Sequence, residues 1–279
     1  MGNPLYPRRN GLPPTVDCHL HVWSDDTESF PRDDVPYPGS PELLLQYMGE
    51  AGVDHAVFVK SQHYGYDNSY LVHVLEKYPH VFAGVGVIDP RGQEAADELQ
   101  RLVEETSIRG IRLRGTIEPD WYCQLETDPL WAKSAELGTP LCLLGTPDQI
   151  DLVKSAVERH PDTVVVIDHF SMIHCSEGTD HPHFRTFLSL AEHPNVHIKV
   201  SGLHYWGDHY PFPKGQDNLR AAYDVFGPNR MLWGSDFPHI LFGYGYVRCC
   251  NFIRRDVDWL TDEDKSQILG GNTYRIWWG

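Results

Sequence analysis

Eight short β-branched runs, amphipathic stretches with helix punctuation between them, and a length of 279 residues predict an α/β protein folded as a single (β/α)8 TIM barrel. The runs start 23 to 39 residues apart, about the size of one strand plus its returning helix. Barrels of this class commonly run about 250 residues, so one barrel fills the chain. The expected division is an N-terminal extension over 1–15 and the barrel domain over 16–279.

The first run is Val16-Asp17-Cys18-His19. The connection after it, Trp23 to Gly39, is rich in Asp and Pro and reads as an ordered loop over the barrel mouth. Ser40-Pro41-Glu42 reads as N-cap, first-turn proline and acidic first turn of a helix that Gly52 closes. The second run is His55 to Lys60, followed by a helix from Asp67 that stops before Pro79. Val81 to Ile88, Ile108 to Leu113 and Pro140 to Leu144 are the next three. A helix over Asp148 to His160 ends ahead of Pro161 and leads to Thr163 to Asp168. Val196 to Val200 comes seventh. A helix over Asp217 to Phe226, ended by Gly227-Pro228, leads to Arg230 to Trp233.

Composition narrows the function classes. Apolar residues make up 41% of the chain, enough for a sizeable core. No apolar run reaches the roughly 18 residues of a membrane span. Met1 to Pro14 lacks an apolar h-region, so no signal peptide is expected. A net charge of -16 argues against nucleic acid and against anionic membrane surfaces. Six cysteines without a C-x-x-C pair suit a reduced, cytoplasmic protein. The expected partner is a small molecule, and assembly into a homo-oligomer stays open. Gly-rich phosphate loops and the G-x-S-x-G elbow are absent.

A barrel carries its chemistry at the C-terminal ends of its strands. His19-Leu20-His21 ends the first run, and residues two apart on a strand share a face, so two imidazoles converge there. A second H-x-H, His181-Pro182-His183, lies in a polar loop instead. His169 follows the sixth run, where a structural histidine is the alternative reading. Asp236 follows the eighth, in Trp233-Gly234-Ser235-Asp236-Phe237-Pro238. It is a candidate metal ligand or proton acceptor, with a helix N-cap as the alternative.

In the fourth run Ile111 and Leu113 suit packing against helices, which turns Arg112 and Arg114 inward. Buried guanidinium groups need partners, so each pairs with a protein acid or holds an anionic substrate. The same alternation turns Lys199 inward, with Asp17 as the expected carboxylate neighbour in a supporting layer. The aromatic segments His63-Tyr64-Gly65-Tyr66 and His204-Tyr205-Trp206 follow strands. His63, Tyr64, His204 and Tyr205 are therefore candidate substrate contacts.

Taken together, Val16-Asp17-Cys18-His19-Leu20-His21, Ile167-Asp168-His169 and Trp233-Gly234-Ser235-Asp236-Phe237-Pro238 resemble the amidohydrolase superfamily, in its amidohydrolase-2 branch. The resemblance runs from about Val16 to Trp277. It implies His19, His21, His169 and Asp236 around one catalytic centre, with a single divalent metal that some members dispense with. Binuclear members carry a bridging Lys after strand four and a His after strand five. This chain has Ile111-Arg112-Leu113-Arg114 and Leu144-Gly145-Thr146 there. At most one divalent ion, zinc or manganese, is therefore expected. The reaction implied is hydrolysis of a lactone of a sugar acid or an aromatic-degradation intermediate, with Asp236 and His169 catalytic. The alternatives are a metal-dependent decarboxylase of the same branch, for which His204 is the relevant extra histidine, and a barrel that only binds a ligand.

Overall fold

The computed structural model describes residues 13–119 and 121–279. Most of the expected N-terminal extension lies outside the described residues. Strands β1 (Val16–Leu20), β2 (His55–Val59), β3 (Phe82–Gly86), β4 (Ile108–Arg114), β5 (Leu141–Leu144), β6 (Val165–Ile167), β7 (Val196–Val200) and β8 (Met231–Trp233) form one sheet in chain order. Each pairs in parallel with the next. The chain just after β8 closes the ring against β1: Asp236 N donates to His19 O at 2.8 Å and His21 N to Phe237 O at 2.7 Å. This is the (β/α)8 barrel expected from the spacing of the runs.

The helices between strands are α1 (Pro41–Ala51), α2 (Ser69–Lys77), α3 (Gly92–Glu105), α4 (Asp128–Leu137), α5 (Ile150–Arg159), α6 (Pro182–Ser189) and α7 (Pro213–Phe226), and α8 (Tyr246–Asn251), α9 (Asp262–Ser266) and α10 (Asn272–Trp278) follow β8. Local signals set several ends. The Ser40 side chain accepts from Leu43 N at 3.2 Å, and Gly52 closes α1 at φ 65°. Helix α7 begins four residues before the expected Asp217. Pro213 supplies its first turn, and Asp208, five residues upstream, accepts from Lys214 N at 2.8 Å. That cap comes from outside the local pattern.

Two apolar layers hold the barrel. Val57, Val59, Val85, Cys142, Val166 and Leu232 fill the interior, with Trp277 of α10 packed on them. A larger cluster lies between strands and helices. The β1–β2 register slips between Asp17 and Leu20. Strict alternation is lost there, so Cys18 joins the interior layer while His19 above it also turns inward. Asp17 turns the other way. It accepts from Ser235 N at 2.9 Å, His19 N at 3.1 Å and Tyr246 OH at 2.9 Å, tying β1 to the β8 exit and to α8.

The loop after β1 is pinned at its ends. Trp23 N donates to Gly39 O at 3.0 Å, and Trp23 Nε1 to Tyr37 O at 2.9 Å. A Cβ at Gly39 would stand 2.6 Å from the Trp23 ring, so only glycine allows this closure.

Candidate active site

Four side chains from three strand ends meet at the C-terminal face. His19 and His21 leave β1, His169 follows β6 and Asp236 follows β8. Asp236 Oδ1 stands 3.7 Å from His19 Nε2, 3.7 Å from His21 Nε2 and 3.9 Å from His169 Nε2. That oxygen is buried without a hydrogen-bond partner. Asp236 (φ 59°) and His169 (φ 52°) both hold left-handed backbone. Non-glycine residues adopt it at a cost of roughly 1–3 kcal/mol, which surrounding structure must offset. Gly202 makes room for His169, because a Cβ there would lie 2.7 Å from its Nδ1.

Hydrogen bonds orient the imidazoles. His21 Nδ1 donates to Val59 O at 2.7 Å, which leaves a lone pair on Nε2. His169 Nδ1 lies 2.9 Å from Ser201 Oγ. Burial pushes His21 down to about 3 and His169 down to about 4, and His19 falls well below the ordinary histidine range. All three are neutral at neutral pH. Burial pushes the Asp236 carboxyl up, but the imidazoles of His169, His19, His239 and His21 outweigh it and hold it well below the usual carboxylate range.

This donor set fits one divalent cation. His19 Nε2 and His21 Nε2 are 3.3 Å apart. Two nitrogens on one tetrahedral ion with bonds of about 2 Å stand roughly that far apart. The partnerless Asp236 oxygen completes a face with them, and His19, His169 and Asp236 have ligand atoms within 4.8 Å of one another.

Beneath the site lies a buried charge cluster. Asp168, at the β6 exit, meets Lys199 Nζ at 2.9 Å, Arg112 Nε at 2.8 Å and His19 Nδ1 at 3.3 Å. Burial alone would raise Asp168; Lys199, then Arg112 and His19, bring it well below its ordinary value. Lys199 therefore pairs with Asp168, not with Asp17 as alternation suggested. The slip in β1 turns Asp17 outward, where burial pushes it up to about 6.

The cavity above Asp236 measures about 200 Å³. Arg112, His63 and Tyr205 line it. His204 Nε2 stands 3.7 Å from Asp236 Oδ2. Two expected contacts are turned elsewhere. Arg114 pairs with Glu118 at 3.0 Å and packs over the Tyr66 ring. The Tyr64 hydroxyl accepts from Ser24 N at 2.8 Å, and its ring stacks on Tyr70.

Sequence reasoning missed Asp168 and His239. The first closes the sixth run and stands in the Ile167-Asp168-His169 motif, but the sequence pattern assigned it no role of its own. His239 sits three residues after Asp236, and only the fold of the Pro238–Phe242 turn brings it to the cavity wall.

A family model described as Amidohydrolase matches residues 16–278. An L-fucono-1,5-lactonase of Burkholderia ambifaria is 30% identical over 94% of this chain and 95% of its own length. A 4-sulfomuconolactone hydrolase of Rhizobium radiobacter is 28% identical over 80% of this chain and 75% of its own. A solved amidohydrolase from Burkholderia multivorans superposes with a TM-score of 0.81 at 23% identity, covering 95% of this chain and 99% of its own. Another crystal form of that protein holds zinc.

Proposed function

The chain belongs to the amidohydrolase family, and from that premise we propose that it hydrolyses a lactone, with Asp236 as the base that takes the proton from water. The observation that carries this reading is the partnerless Asp236 Oδ1 facing three imidazole Nε2 atoms. The Asp236 carboxylate is ionised and carries an unused lone pair at the cavity floor, where a water can give it a proton. Relatives named for lactone hydrolysis support the substrate class.

His19, His21, His169 and Asp236 would hold one divalent ion, zinc or manganese. Such an ion, when bound, lowers the pKa of water or polarises the carbonyl. Arg112 spends its Nε on Asp168 and lines the cavity, so its terminal N–H groups are left for the lactone carbonyl or a substrate anion. Asp168 thereby orients both Arg112 and His19.

A decarboxylase reading draws on His204 beside Asp236. The two separate in one assay: lactones and aromatic carboxylates are screened side by side, before and after chelation, while acid and carbon dioxide are both followed. Lactone hydrolysis yields acid and no gas. Carbon dioxide release without lactone opening replaces the proposal with the decarboxylase. Silence on both panels favours a ligand-binding barrel.

A further inference from the structure

We propose that His239 protonates the departing ring oxygen of the lactone, and that Tyr37 is the positioning residue that sets the tautomer of His239 and resupplies its proton. The inference rests on the lactone-hydrolase reading. It starts from an unmet chemical need. Attack of water on an alkyl lactone must expel an alkoxide, a poor leaving group unless it receives a proton as the C–O bond breaks.

Three of the cavity groups are committed. Asp236 receives the proton of the attacking water. His21 has its only N–H on Val59 O, so its Nε2 has no proton to give. Arg112 remains a cation throughout. His239 differs. It lines the cavity, and its Nδ1 is hydrogen-bonded to the Tyr37 hydroxyl. A phenol that donates to Nδ1 leaves the imidazole proton on Nε2. That nitrogen is the one left for the cavity. Among the described residues the Tyr37 hydroxyl and the His239 ring make no other hydrogen bond.

The pair is built rather than incidental. Tyr37 and His239 come from the loops after β1 and β8, which flank the Asp236 corner. The Tyr37 ring packs on Phe242 with centroids 4.2 Å apart and on Trp23 at 5.7 Å. Trp23 also holds the Tyr37 carbonyl. The phenol is thus fixed by the same pinned loop that only Gly39 lets close.

The protons balance. Water adds to the carbonyl carbon and gives one proton to Asp236. As the ring C–O bond breaks, its electron pair stays on oxygen, which takes the Nε2 proton of His239. The Tyr37 proton moves to Nδ1 as Nε2 gives up its own; Nδ1 then returns it to the phenolate while Nε2 takes up, through solvent, the water-derived proton that Asp236 releases. Burial, with the Asp236 carboxylate adding, pushes the Tyr37 phenol up to about 12; that is still a stronger acid than an alkanol, so the departing oxygen keeps the proton once the bond has broken. The net change is one water consumed and one hydroxy acid formed.

The test compares leaving groups. D-Glucono-1,5-lactone expels an alkoxide and needs the acid, whereas dihydrocoumarin expels a phenoxide and needs it far less. In Tyr37→Phe and in His239→Gln, kcat on the aldonolactone should fall by about 10²-fold or more, the ordinary worth of a general acid. The loss on dihydrocoumarin should be at least about tenfold smaller. Tyr37→Phe keeps every ring contact, so it preserves the test if His239→Gln fails to fold. Equal losses on both lactones, or no loss on the aldonolactone, would overturn the dyad. A wild-type protein that opens neither lactone defeats the lactone-hydrolase reading itself and takes the dyad with it.

Discussion

Lys199 Nζ lies 2.9 Å from Asp168 Oδ1, and neither side chain is exposed to solvent. Arg112 holds the second Asp168 oxygen, so one carboxylate serves two buried cations and braces His19 as well. Removing one partner of such a pair leaves an uncompensated charge and costs about 3–5 kcal/mol. Lys199→Met should therefore lower the urea midpoint by a matching amount. Asp168→Asn should do the same and also depress kcat/KM, because it releases both Arg112 and His19. A stability loss well under that range in both variants would contradict the pairing.

Asp236→Asn keeps the shape of the side chain and removes the base. The rate should fall by about 10²–10⁴ with the fold intact. Metal content must be measured alongside by elemental analysis, with one stoichiometric divalent ion per chain as the upper expectation. A variant that loses metal and regains activity in excess metal would make Asp236 chiefly a ligand. Two stoichiometric ions in the wild type would overturn the mononuclear reading.

The strand-four arginines should separate. Arg112 lines the cavity, whereas Arg114 is paired with Glu118 away from it. Loss of a charge-assisted contact costs about 1.5–3 kcal/mol, so Arg112→Met should lower kcat/KM roughly ten- to over a hundredfold. Arg114→Met should act mainly on stability. Steady-state kinetics on one lactone with thermal melts of both variants decides, and a larger kinetic defect in Arg114→Met would reverse the assignment.

Lys60, at the β2 exit, is buried with its ammonium on the Gly65 carbonyl. Burial, with Arg114 adding, pushes it down to about 7 from an ordinary 10.5. Between those values the unfolded chain binds a proton that the folded chain has released. Stability contributed by this group therefore rises with pH across the window and is lost as pH falls through 7. Lys60→Met should flatten that rise. Urea melts of both proteins at pH 7 and pH 10 measure it; an identical pH slope in the two would remove Lys60 as its source.

The sequence by itself determined the barrel and the strand ends on which His19, His21, His169 and Asp236 sit. Strand runs, their spacing and the residue after each run are local properties, and the parallel barrel converts position along a strand into position in the molecule. Tertiary structure alone decided who faces whom. The slip within β1 turns Asp17 outward and leaves Lys199 to Asp168. Arg114 is drawn to Glu118 by the path of the loop after β4. Tyr37 and His239, separated by 202 residues, meet only because the chain after β8 closes the ring against β1. Pairings of that kind depend on register and closure, which strand periodicity does not encode.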